Sequence, residues 1–104
     1  MNSIIIKSTD EFSTKVINSS TPVIVDFFAD WCGPCRMLAP VIEDLANEAE
    51  GYAVYKVNVD EMPEIAEKYD ISSIPTLIGF KNGNVVSRHT GLMPKDSIPG
   101  LIGL

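Results

Sequence analysis

The chain has 104 residues, 45% of them hydrophobic and 21% charged, with a formal net charge of −6 at pH 7. That length suits one domain, residues 1–104, whose single core needs no staple. The acidic balance argues against nucleic acid and anionic membranes as partners, and no apolar run approaches the roughly 18 residues of a membrane span.

Ile4 to Lys7 reads as a short first strand. The N-terminus has no basic lead and only three apolar residues in a row, so neither a secretory signal nor a transit peptide is expected. Ser8-Thr9-Asp10-Glu11 fits a capping box, with Ser8 as N-cap and Glu11 reaching back. It predicts a helix to about Asn18 that buries Phe12, Val16 and Ile17. Residues 22–29 form a buried strand, apolar on both faces and rich in β-branched and aromatic side chains. Trp31-Cys32-Gly33-Pro34-Cys35 follows and holds the chain's only two cysteines.

Apolar residues then recur at Leu38, Ala39, Ile42, Leu45, Ala46 and Ala49, one face of a helix from Gly33 to about Glu50 that Pro40 should kink. Tyr52 to Val59 alternates as a third strand. Pro63 opens a short helix carrying Ile65, Ala66 and Tyr69. Thr76–Phe80 and Val85–His89 flank Lys81-Asn82-Gly83-Asn84, and Asn-Gly between apolar runs is a strong hairpin signal. The order β-α-β-α-β-α-β-β-α predicts an α/β fold with one mixed sheet of about five strands. Its first three strands should be parallel through right-handed crossovers, with helices on both faces.

Cys32 thus falls where a strand ends and a helix begins, and Cys35 one turn inside on the apolar face. A C-x-x-C at such a junction reads as a dithiol redox centre. The thiolate is the reactive form of cysteine, and unpaired N–H groups at a helix N-terminus stabilise an anion there. Cys32 is therefore expected to be the exposed attacker and Cys35 the shielded resolver. Pro34 suits the first helical turn, and Gly33 lets another chain's backbone approach the sulfurs. A zinc site would need four ligands, and the chain adds only the distant His89. Haem attachment needs histidine after the second cysteine, where Arg36 stands. A structural disulfide closing so small a loop would constrain the unfolded chain little. Without an export signal, a dithiol points to a reducing cytoplasm, where disulfides are transient and catalytic.

With these elements in order, the chain closely resembles the thioredoxin family over nearly its whole length. The likeness rests on the Trp31–Cys35 motif, Asp26 in the preceding strand, Phe27, Ala29, Lys56, Ile74-Pro75-Thr76, Phe80-Lys81-Asn82-Gly83 and Gly91. The resemblance implies a thioredoxin fold and a general protein-disulfide reductase, with Cys32 as nucleophile and Cys35 as resolving thiol. It implies recharging by a flavin-containing, NADPH-driven thioredoxin reductase, disulfide-containing client proteins, a monomer, and no resident cofactor or metal. Gly33-Pro34 supports the reducing direction. The resemblance also implies a cis Ile74-Pro75 bond that frees Ile74 to pair with an extended client, and an apolar rim of Trp31, Ile74, Gly91 and Leu92. A non-catalytic binding module or holdase on the same fold is the alternative.

On strand position alone Asp26 is either a carboxylate at a solvated strand end or a buried proton acceptor for Cys35; the resemblance favours the second. Lys56 either assists Asp26 from a neighbouring strand or lies solvated. His89 is assigned no role. Two departures stand out. Phe28 occupies a position where most of the family has tryptophan, which keeps packing but loses an N–H donor. Pro99, Gly100 and Gly103 interrupt the last helix, which should be short or distorted, or start late with Ser97 as its cap.

Overall fold

Six consecutive buried residues, Val23–Phe28, form the strand on which the other elements are built (β1). The computed structural model describes residues 4–104; Met1, Asn2 and Ser3, part of the stretch read against a leader, lie outside them. β1 pairs in parallel with Ala53–Asn58 (β2) and antiparallel with Thr76–Lys81 (β3). At the far side of β3 lies Asn84–Thr90 (β4), also antiparallel, giving the order β2-β1-β3-β4. A strand so enclosed has no solvent face, which is why its sequence is an apolar run.

Successive side chains of a strand point to opposite faces, and β1 divides the core accordingly. Val23, Val25 and Phe27 pack with Phe12, Val16 and Ile65 on one face. Ile24 packs with Leu38, Ile42, Leu45 and Ile98 on the other. The first face is covered by Thr9–Phe12 (α1) with its continuation and by Pro63–Lys68 (α3). The second is covered by Gly33–Glu48 (α2), which continues through Pro40, and by the C-terminal segment.

Three expectations are corrected in detail. The first strand shrinks to a single parallel bridge between Ile5 and Lys56, so the sheet has four strands and a bridge among the described residues. Ser8 already caps α1, which leaves no chain to extend the ladder. The Ser8 hydroxyl accepts the Glu11 N–H at 3.0 Å, but the Glu11 carboxylate receives the N–H of Lys7, not that of Ser8. α1 then widens into a π turn over Ser13–Ile17, with the Asn18 N–H donated to the Ser13 carbonyl at 2.9 Å. In this turn Ile17 is half-buried, while Phe12 and Val16 are buried.

The last helix is distorted, as its proline and glycines predict, and starts at Lys95 after Pro94 and not at Ser97. Lys95–Ile102 winds as a 3₁₀ helix ended by Gly103 at φ +82°. Three residues per turn put Ile98 and Leu101 in line on one face, and both are buried with Ile102. The segment lies so close to β3 that a Cβ on Gly79 would run into the Leu101 carbonyl.

Gly79→Ala should therefore destabilise the protein by about 2 kcal/mol through overpacking against backbone. Chemical denaturation measures this, and an unchanged midpoint would show that the segment can move away freely. The Asn82-Gly83 turn has both residues at positive φ, +53° and +79°, as a tight hairpin requires.

Candidate active site

β1 ends at Phe28, and four residues later Cys32 is the N-cap of α2 with Gly33 and Pro34 in the first turn. The Cys32 Sγ accepts the Cys35 N–H at 3.2 Å, and Cys32 and Cys35 are joined as a disulfide. A sulfur at this position receives one of the N–H groups that a helix start leaves unpaired, as well as the positive end of the helix dipole. Cys35 has its side chain on the buried face, packed with Phe28 and Ala29.

Burial does not separate the two sulfurs as expected. Cys32 is 5% exposed and Cys35 3%, so Cys32 is not the openly exposed thiol that the sequence suggested. Ile74 packs over this cluster and its carbonyl oxygen lies 3.8 Å from the Cys32 Sγ. The distinction between the sulfurs is one of hydrogen bonding and helix position. An added Cβ at Gly33 would meet open space, so that side of the motif is unobstructed.

Ile74-Pro75 is a cis peptide bond, and the Pro75 carbonyl accepts the Gly91 N–H at 2.8 Å. This ties the turn after β4 to the cis-proline segment that precedes β3. Trp31 is 68% and Leu92 47% exposed, while Ile74 and Gly91 are half-buried. Leu92 also lines an apolar cavity of about 360 Å³ with Met37, Leu38, Val41, Met93 and Pro94. The rim therefore runs past the residues read from sequence to Met37, whose position on the helix gave no signal.

The Trp31 indole N–H donates to the Asp60 carboxylate at 2.8 Å. Asp60 is held in turn by the buried Asn58, whose side-chain oxygen accepts the N–H groups of Asp60 and Glu61 at 2.9 and 3.2 Å. Sequence reasoning missed both residues. An Asn two positions before an Asp at a strand end is the local sign of such a turn, but its reach to Trp31 is tertiary.

Asp26 is fully buried. Strand alternation puts its side chain on the α2 face, between Ile24, packed on Leu38 and Ile42, and Phe28, packed on Cys35. Neither carboxyl oxygen has a hydrogen-bond partner among the described residues. Burial pushes its pKa up to about 7, partly offset by the charge of Lys56. Lys56 is the residue opposite Asp26 on β2, yet its ammonium sits 4.3 Å from the centre of the Phe28 ring. A cation over an aromatic face is attracted by the ring's quadrupole. The wall beside the dithiol, where a phenyl replaces an indole, is thus held by a lysine. The solvated strand-end reading of Asp26 is excluded.

A carboxyl moved from 3.8 to about 7 keeps its proton in the folded chain after the unfolded chain has lost it. Folding stability should then fall as pH rises from about 4 to about 7 and level off above, by up to about 4 kcal/mol in all. Asp26→Ala removes that penalty and loses some packing, so a gain of about 2 kcal/mol is expected at pH 8 and a loss of about 1–2 kcal/mol at pH 4. Denaturation of the oxidised protein at both pH values tests this; an equal effect at the two would contradict a raised carboxyl pKa.

The family model for thioredoxin matches residues 3–102. The chain is 51% identical over 94 residues to a thioredoxin of Chlorobaculum thiosulfatiphilum, covering 88% of this chain and 87% of that one. It is 50% identical over 95 residues to a thioredoxin of Chlamydia pneumoniae, with 91% of each covered. A chloroplastic M-type thioredoxin of Pisum sativum is 46% identical over 99 residues, 94% of this chain and 58% of that one. The solved structure of Malassezia sympodialis thioredoxin superposes with a TM-score of 0.83 at 34% identity, covering 97% of this chain and 89% of that chain. Together with the Cys32–Cys35 pair at a helix start, these likenesses show that the chain belongs to the thioredoxin family of dithiol–disulfide oxidoreductases.

Proposed function

We propose that the protein is a general protein-disulfide reductase in which Cys32 attacks and Cys35 resolves. The observation that carries this reading is the Cys35 N–H donated to the Cys32 sulfur at the N-cap of α2. In the reduced protein that bond and the helix dipole favour the Cys32 thiolate. Cys35 donates its own N–H to that sulfur while its side chain is packed away from water.

The Cys32 thiolate attacks one sulfur of a client disulfide, forming a mixed disulfide and expelling the other client sulfur as a thiolate. Cys35, losing its proton, attacks the Cys32 sulfur. The second client thiolate leaves and Cys32–Cys35 is the oxidised product, so two electrons have passed to the client. Asp26, buried on the α2 face next to the dithiol cluster and without a hydrogen-bond partner among the described residues, is the acceptor for the Cys35 proton. With a pKa near 7 it gains and loses a proton close to neutral pH.

Clients lie along the rim of Trp31, Ile74, Gly91 and Leu92, with the extended backbone at Ile74 pairing with a client strand beside Pro75. Breadth follows, because backbone and apolar contacts read little sequence. Gly33 and Pro34 keep the approach to Cys32 open and the helix start fixed. The electrons are returned by a flavin-containing thioredoxin reductase using NADPH, and the protein acts as a one-domain monomer in a reducing cytoplasm. No helix among the described residues is long and apolar enough to cross a membrane.

Cys35→Ser should accumulate a mixed disulfide with an added client protein through Cys32, and Cys32→Ser should not. Mass spectrometry of the non-reduced adducts identifies the linked cysteine. Trapping through Cys35 on the Cys32→Ser variant alone would reverse the assignment. Undiminished function of the double serine variant would replace it with the binding module.

A further inference from the structure

His89 lies near the end of β4, and its Nε2 is 3.0 Å from the Leu92 carbonyl oxygen. A carbonyl only accepts, so Nε2 must carry the proton and donate. The bond spans the bend at Gly91, whose φ of +99° is open to glycine alone at little strain. Gly91 is fixed from its other side by its N–H to the Pro75 carbonyl at 2.8 Å. The short segment 91–93 is therefore held at two points, one of them a side chain.

That segment supplies Leu92 and Met93, which form one wall of the apolar cavity completed by Met37, Leu38, Val41 and Pro94. Leu92 belongs both to this cavity and to the rim beside the dithiol, so the wall's position sets how far the client groove extends along α2. No other side-chain bond to the backbone of residues 91–93 is found among the described residues. We propose that His89 is a positioning residue for client binding, acting through Leu92 and not on the reacting sulfurs. The inference rests on the reductase reading above.

The test measures reduction of insulin, with dithiothreitol as electron source, by the full chain and by His89→Ala, His89→Gln and His89→Asn. The amide nitrogen of glutamine falls where the imidazole Nε2 lies, whereas that of asparagine falls at the Nδ1 position. His89→Ala and His89→Asn should raise KM for insulin about three- to fivefold, the loss of one ordinary hydrogen bond. Their kcat and their rate with a small aromatic disulfide should stay as in the parent. His89→Gln should restore KM to within a factor of about two. An unchanged KM in His89→Ala, or a glutamine variant as impaired as the alanine one, overturns the positioning role. A fall in kcat with both disulfides would show that His89 acts on the chemistry instead. If the parent chain itself fails to reduce insulin, the reductase reading falls and this inference falls with it.

Discussion

The two-sided burial of β1 is the constraint on which the site depends. A strand with neighbours on both edges and helices on both faces has no place for a charge, yet Asp26 sits at its fourth position with no exposed surface. Every other residue of β1 is apolar, so the carboxyl is surrounded by groups that cannot solvate its ion. Protonation is the cheapest response, and its pKa rises accordingly. The same strand delivers the chain to the start of α2. The burial that raises the Asp26 pKa thus belongs to the same strand that leads into the dithiol.

The local geometry turns that constraint into chemistry. The helix start gives Cys32 a donor and a dipole, the packed face encloses Cys35, Ile74 packs against the pair, and the Gly91 N–H holds the Pro75 carbonyl behind it. Lys56 could have neutralised Asp26 as its strand partner, but its ammonium lies over Phe28. Its field lowers the Asp26 pKa only in part, and the carboxyl has no hydrogen bond among the described residues. The phenyl at position 28 and the titration of Asp26 are therefore linked through one lysine.

Much of this was legible in the sequence because it is written in local chemistry. The apolar run of β1, the dithiol followed by a helical face, and Asn82-Gly83 between two strands each state their own conformation. Pro99 and the C-terminal glycines announced a distorted last helix, though the 3₁₀ winding from Lys95 depended on packing against β3. The bridge at Ile5 and the π turn after Phe12 were hidden, since neither leaves a residue pattern of its own. The bonds from Trp31 to Asp60 and from His89 to Leu92 depend on where folded loops meet. Family likeness named the rim residues; it did not name what holds them.

The most direct measurement of the central claim is the ¹³C NMR titration of the Asp26 side-chain carboxyl in the oxidised protein. There neither cysteine ionises, so the carboxyl reports its own environment. A midpoint near 7, as burial of the carboxyl dictates, supports the account. A midpoint near 4, the ordinary carboxylate range, would contradict it and remove the basis for the proposed role of Asp26 toward Cys35.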